Sequence, residues 1–552
     1  MLRDLVSSST GWGLPRLRMK RMNEFTVMAF LYRYSFLYSV LLCLLLSSLF
    51  ALPASPVLAQ GNRLLPTNDY AYEYIVRLQR RGHLLDLNPT SLPYRRKEIW
   101  DALSQIDTTR LNSSEHHWVD LLRKKLRPPS TSDDQVAVGY TFMAGTDVIN
   151  SDRIDPVRPQ GDAINFYWHG TAASGYLDAG PVVAEMSLFH SRYYDRDPDG
   201  IDAGLRLMAR SEHSYVGWNH RWLSAYIGRW DVHWGSSGDA STIISSNARS
   251  RDQVFLRIGG DRASVTAILS ELDSAVDGRY YTGRAADDSV KFGSTRRFHA
   301  AHRWDYRPTR KFMLSFMESA IYSGPGASLS LKYLNPVNPF TFVVDNVPKN
   351  DDNNGFLAGL LWAQFKRLTL QGQFMVDDIR LQANTGPETI TFVLTGSAAY
   401  ALPKADLKLT LETVTSRAYN APQVEGQYIH LNRGLATQFS DYVHTSLSLE
   451  FYMDHRVRGL RFGPKVDLLL QGERDMRQPF PAKTESVRNL LDGDIEPTFR
   501  GSMRFTYQPV HWWWVAADGG INVSGNNQHR FVGLINAGIL LTLDRTIKLW
   551  DS

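Results

Sequence analysis

The sequence predicts an all-β transmembrane barrel of about eighteen antiparallel strands, preceded by a small N-terminal helical bundle or plug. Three observations carry this expectation. Between Gln135 and Leu543, tight turns alternate with long connections. Several segments show a strict polar/apolar dyad, and the chain begins with an export-like segment. Tight turns on one side and long loops on the other are the sequence signature of an outer-membrane barrel with periplasmic turns and extracellular loops.

The first 59 residues read as a signal peptide. Arg16, Arg18, Lys20, Arg21 and Arg33 precede the apolar stretch Phe36 to Leu52, and Val57-Leu58-Ala59 follows as a small-x-small cleavage pattern. The apolar stretch is short for a helical span. The only cysteine, Cys43, lies inside it, so the processed chain carries no thiol chemistry. Six of the 61 Lys/Arg and two of the 56 Asp/Glu belong to this segment. The remainder is therefore nearly neutral, and a nucleic-acid role loses its support. No later stretch is apolar enough for a helical span. Hydrophobic content of 43% with negative mean hydropathy suits a barrel, where only alternate strand residues meet lipid.

Residues 60–130 form a periplasmic helical segment in this reading. Thr67 or Asn68 can cap a helix carrying Tyr70, Tyr74, Ile75 and Leu78, which stops near Gly82. A second helix after Pro93 carries Ile99, Ala102, Leu103 and Ile106. A third carries Trp118, Leu121, Leu122 and Leu126 before Pro128-Pro129. The barrel, residues 131–552, then follows.

Its dyads are clear. Val136, Val138, Tyr140 and Phe142 alternate with small or polar residues, and Leu407, Leu409 and Leu411 alternate with Asp406, Lys408, Thr410 and Glu412. The sets Thr445, Leu447, Leu449, Phe451 and Met503, Phe505, Tyr507 behave in the same way. The apolar set of each strand faces lipid and the other faces the lumen. Tight turns are expected at Asn219-His220, Gly260-Asp261, Arg307-Pro308, Leu402-Pro403 and Gln508-Pro509. The long connections fall near 145–162, 192–211, 231–251, 273–294, 323–354, 378–388, 417–438 and 474–494. Trp512-Trp513-Trp514 and Trp222, Tyr226, Trp230 lie near strand ends, where an aromatic girdle belongs.

The most distinctive stretch runs Gly228-Arg229-Trp230-Asp231-Val232-His233-Trp234-Gly235-Ser236-Ser237-Gly238, then Ile243-Ile244-Ser245-Ser246-Asn247-Ala248-Arg249. It resembles the barrel motif of the Wzi family of capsule-assembly proteins. His302-Arg303, Glu318-Ser319 and Leu334-Asn335-Pro336 match a second patch of that pattern. The helical run Tyr74-Ile75-x-Arg77-Leu78, Pro93-Tyr94-Arg95 and Glu98-Ile99-x-x-Ala102-Leu103 resembles the region preceding such barrels, and an S-layer-homology half-repeat as well. Ser236 and Ser250 stand where the family pattern has prolines, and the chain ends in Asp551-Ser552 rather than an aromatic residue.

The resemblance implies a lectin-like role: binding capsular or extracellular polysaccharide at the surface of a diderm bacterium, without turnover. Sugar sites combine aromatic faces with planar amides, carboxylates and guanidinium groups. The loops offer Trp234, Asn247, Arg249, Tyr333 and Asn335, with Tyr280, Tyr281 and Asn338 nearby, although ordinary loop packing explains any one of them. His299, Arg303, Asp305 and Glu318 are expected to form a polar network in the lumen. The phase of Glu318 conflicts with Phe312, Leu314 and Phe316 on the lipid side.

No catalytic constellation stands out: there is no Gly-x-Ser-x-Gly, no His-Glu-x-x-His and no phosphate loop. Asp195-x-Asp197-x-Asp199-Gly200 begins like a calcium loop, but Arg206 replaces its bidentate glutamate, so no metal is expected. No cofactor is expected either. Lipid and lipopolysaccharide are the expected surroundings of a monomer. The competing reading is a porin or channel whose helices contact peptidoglycan; an outer-membrane lipid or glycan enzyme is the third class.

Overall fold

The computed structural model describes residues 61–128, 135–150, 155–158, 166–179, 181–191, 210–274, 296–324, 327–340, 352–380, 389–421, 424–477, 490–525 and 529–548. The signal segment, the Asp195–Gly200 run, Tyr280 and Tyr281 lie outside the described residues.

Three helices come first: α1 (Ala71–Arg80), α2 (Arg96–Ser104) and α3 (Ser113–Leu126). The third starts one turn before its first apolar residue. Asn112 accepts from the Ser114 and Glu115 N–H groups, and Glu115 accepts from the Asn112 N–H in return. Such a box satisfies donors that a bare helix start leaves open. The apolar faces converge on Trp118, Leu121 and Leu122, packed with Tyr74, Ile75, Leu78, Ile99 and Leu103.

Eighteen strands then close into a barrel, every one antiparallel to its neighbours in sequence. They are β1 (Gln135–Ile149), β2 (Phe166–Ala179), β3 (Val182–Ser191), β4 (Arg210–His220), β5 (Leu223–Trp230) and β6 (Arg251–Gly259). Next come β7 (Ala263–Leu272), β8 (Arg296–Thr309), β9 (Phe312–Gly324), β10 (Asp352–Phe365), β11 (Leu368–Arg380) and β12 (Thr389–Ala401). The last six are β13 (Ala405–Val414), β14 (Tyr442–Tyr452), β15 (Leu460–Gln471), β16 (Glu496–Val510), β17 (Trp513–Ser524) and β18 (His529–Lys548). Pairing of β1 with β18, from Gln135↔Lys548 to Ile149↔Leu534, seals the wall and removes both sheet edges.

The alternation holds where it was clearest. Leu407, Leu409 and Leu411 on β13 and Met503, Phe505 and Tyr507 on β16 are exposed on the outer face, as are Ile535, Ile539, Leu541 and Leu543 on β18. Three expected turns lie two or three residues early, the first because β4 runs through Asn219-His220. Pro308 and Pro509 sit inside β8 and β16, and the ladder shifts there, at Phe312/Leu314 and at Tyr507/Val510. A proline cannot donate to a ladder, so a bulge near the strand end accommodates it. The girdle expectation needs a correction too. Trp222 and Trp512 are exposed, but Tyr226 and Trp230 are buried among Tyr215 and Phe255 inside the barrel.

The helices sit at the tight-turn end. Arg81 donates to the Leu402 carbonyl (3.0 Å), Arg458 to His117 Nδ1 (2.9 Å) and Asn88 to Asp305 (3.1 Å). Arg77 on α1 forks onto the Glu450 carboxylate of β14 (2.9 Å), a bidentate geometry that fixes orientation.

Candidate functional site

Two of the long connections, residues 231–250 and 415–441, turn inward and fill the lumen. In the first, the Trp234 N–H bonds the Ile244 carbonyl (2.9 Å), making a compact loop. Wall amides hold that loop: Gln371 accepts from Ser236 N–H (2.8 Å), while Gln373 accepts from Thr242 N–H (3.0 Å) and donates to Trp234 O (2.9 Å). Glycine suits this close approach, because a Cβ at Gly235 would come within 2.9 Å of His233 Nε2 and displace the imidazole. Reciprocal backbone bonds between Leu92 and His233 (2.9 and 3.1 Å) tie the same loop to the helical segment.

The second connection closes over the first. Tyr419 and Tyr428 stack on each other at 5.3 Å, and their hydroxyls donate to the carbonyls of Thr242 (2.7 Å) and Ile243 (2.9 Å). Ile429–His430 and Arg433–Gly434 form a two-residue ladder, turned by Leu431 and Asn432 in left-handed conformation (φ 49° and 66°). Asn tolerates that region; Leu does not favour it, so the hairpin lacked the usual Asn-Gly signal.

The residues named from sequence separate accordingly. Trp234 is completely buried, its ring 5.7 Å from the Arg303 guanidinium. Arg249 is buried as well. Asn247 is half-buried, its amide donating to the Gly434 carbonyl (2.8 Å), and it lines a cavity. Tyr333 and Asn335 are not near that cavity. They belong to a segment lying against the outer face of the wall, where Tyr333 is buried and Asn335 exposed.

The expected lumen network also divides. Arg303 donates to Asp305 (2.7 Å), to Thr90 O (2.6 Å), to Thr90 Oγ1 (2.7 Å) and to Ser315 (3.2 Å). His299 Nε2 lies 3.0 Å from both Ser319 and Tyr428. Glu318 is a correction, because it faces outward. Register is continuous from Leu314 to Gly324 against β8 and through to Ser323 against β10, so its phase is that of Leu314 and Phe316.

The cavity that Asn247 lines has a volume of about 350 Å³ and lies at the long-loop end of the lumen. Asp155, Gln438 and Phe439 come from the loops, while Glu412, Tyr442 and His444 come from β13 and β14. His444 bonds Asp467 (3.0 Å), and Glu412 accepts from the Tyr442 hydroxyl (3.0 Å). His233 lines the same space, and burial pushes its imidazole down to about 4, so it is neutral near pH 7. Burial raises the Asp239 carboxyl, but the Lys408 ammonium outweighs it and holds that group below its usual range. Carboxylates, an amide and imidazoles beside aromatic rings can hydrogen-bond a polyhydroxylated ligand and stack on its C–H face. Sequence reasoning missed Glu412, Tyr442 and His444 as a group. The lumen phase of Glu412 was available from its dyad, but the pairing of β13 with β14 was not.

Beyond the Asp239–Lys408 pair lies a second cavity of about 530 Å³, lined by Glu450, Arg461, Lys465, Arg504 and Asp518. No cluster of three or more potential metal ligands occurs among the described residues.

An apolar outer belt, a closed eighteen-stranded wall and a lumen packed by loops and helices define a transmembrane β-barrel of the outer-membrane type. No family model and no curated protein matches the chain. Among solved structures it is similar to Wzi from Escherichia coli, described as an outer-membrane protein involved in group 1 capsule assembly and a carbohydrate-binding β-barrel. That match has 14% identity and a TM-score of 0.57, and covers 87% of this chain and 99% of Wzi. Two Pseudomonas aeruginosa proteins, OccD3 and OccK10, are more distant. OccD3 has 11% identity and a TM-score of 0.43, covering 74% of this chain and 91% of its own. OccK10 has 11% identity and a TM-score of 0.42, covering 74% and 99%.

Proposed function

We propose that this protein binds capsular or extracellular polysaccharide at the bacterial surface and anchors it there, without turnover. The observation that carries this reading is the polar, aromatic-flanked cavity at the long-loop end of a lumen that the chain's own loops have filled. A barrel of this size has room for an aqueous channel. Here that room is occupied by residues such as Trp234, Ile244, Tyr419, Tyr428 and Leu435, a packing suited to holding a ligand at one end rather than passing solute through. The carbohydrate binding attributed to the similarly folded Wzi is compatible with this role. Outer-membrane lipid and lipopolysaccharide surround the wall, and the helices face the periplasm, within reach of peptidoglycan.

Deleting the gene in its host should lower cell-bound polysaccharide and raise the amount in the medium, with total synthesis unchanged. Unchanged cell-bound polysaccharide in the deletion strain would sink the proposal.

A further inference from the structure

Residues 327–340, which include the short helix α4 (Leu331–Leu334), lie outside the barrel against β7, β8 and β9. Their depth along the wall follows from strand register. Glu318 pairs with His302 on one side and with Leu357 on the other. Leu357 is 42% exposed on the outer face and Phe316, two residues from Glu318, is 49% exposed, yet Glu318 itself is 1% exposed. A carboxylate thus sits at the level of the lipid-facing band, and the segment covers it.

The cover is specific. His302 Nε2 donates to the Tyr333 carbonyl (2.9 Å), and its Nδ1 is hydrogen-bonded to the Glu318 carboxyl (2.8 Å). Glu318 also accepts from the Phe340 N–H (3.0 Å). Tyr333 stacks on Tyr322 of the wall at 4.1 Å, and Phe340 packs on His302 at 4.2 Å. Lys332 folds back over the Tyr333 ring (5.0 Å). Leu331 and Val337 point the other way, 80% and 82% exposed, with Leu329 beside them.

Part of the segment's backbone is satisfied internally. Tyr333 N–H bonds Ser330 O (3.0 Å), Asn335 N–H bonds Leu331 O (3.2 Å) and Asn338 N–H bonds Asn335 O (3.2 Å). Val337 N–H goes to the Asn335 side chain (3.2 Å), and Pro336 and Pro339 have no N–H to satisfy. Irregular backbone survives at membrane depth only when its polar groups are satisfied without water. Apolar side chains turned outward, a buried polar staple and internal backbone bonds are what such a position demands.

We propose that residues 327–340 form a lipid-contacting flap on the barrel wall, with Leu329, Leu331 and Val337 against the acyl chains of the outer leaflet and the Glu318–His302 pair as its anchor. The proposal rests on membrane embedding and is independent of what the opposite face of the wall binds.

The test is nitroxide accessibility in full-length protein reconstituted into phosphatidylcholine/phosphatidylglycerol vesicles. Labels go on Leu331→Cys and Val337→Cys in a Cys43→Ala background, with Leu357→Cys as the lipid-facing reference and Arg456→Cys as the aqueous one. Collisions with oxygen should exceed those with a water-soluble nickel chelate at 331 and 337, as at 357 and unlike 456. Adding Glu318→Ala should raise label mobility at 337 while the barrel keeps its heat-modifiable migration. Nickel preference at 331 and 337 overturns the proposal, as does protection from both reagents with spin–spin coupling, which would put a second copy of the chain on the flap. The two labelled sites decide the matter even if the Glu318 variant fails to fold.

Discussion

Replacing Arg303 with alanine should cost about 3–5 kcal/mol and loosen the helical segment from the wall, because it strips one partner from a buried ion pair. Arg303 is the junction of three parts. It holds Asp305 and Ser315 on the wall, the Thr90 hydroxyl and carbonyl in the helical segment, and lies over Trp234 in the inward loop. Alanine would leave the Asp305 carboxylate with only Asn88 and Ser315, and the Thr90 carbonyl would lose its donor. Lysine should rescue little, since a point charge cannot reproduce the planar fork. Denaturant unfolding of the reconstituted protein reads the loss, and limited proteolysis reads release of residues 61–128. The exposed Arg229–Asp252 pair is the contrast: Arg229→Ala should cost about 0–1 kcal/mol. Equal costs at the two sites would mean that Arg303 is not the junction described.

Removing the second inward loop should convert a silent barrel into a conducting one. Residues 415–441 contribute Tyr419, Tyr428, Ile429 and Leu435 to the packing that closes the lumen, and they roof the 231–250 loop through the Tyr419 and Tyr428 hydroxyls. The wall does not depend on them, since β13 and β14 pair directly from Ala405↔Phe451 to Val414↔Tyr442. A short Gly-Ser link in place of 416–440 should therefore leave a closed barrel whose lumen has lost one of its two inward loops. In planar bilayers the intact protein is expected to be silent and the shortened one to show stepwise conductance. Steady conductance from the intact protein would favour the channel reading instead.

The barrel was legible because lipid enforces the dyad. Leu407, Leu409 and Leu411 have no alternative to facing outward, and short turns alternate with longer loops in barrels of the outer-membrane type. Position within the loops was not legible, since periodicity carries no direction once the strand ends. Trp234 reads as an exposed stacking platform, yet its loop folds inward and buries it. Tyr333 reads the same way, yet its segment folds outward over β8 and β9. Glu318 showed the most. Its phase put it on the outer face, and the conflict with lipid was real. What resolved it was a covering segment more than ten residues away, which no local pattern reveals. His444 and Glu412 face the lumen by simple parity, but only cross-strand pairing brings them together with Asn247.

The claim that the long-loop end holds a glycan is tested most directly by titrating purified protein with polysaccharide extracted from the surface of its own host. Intact protein should bind, and Glu412→Ala should weaken binding about tenfold or more, the worth of one charge-assisted hydrogen bond. Glu271→Ala, which removes an exposed carboxylate from the outer face, should leave affinity unchanged. No binding by the intact protein, or equal binding by all three, would contradict the account.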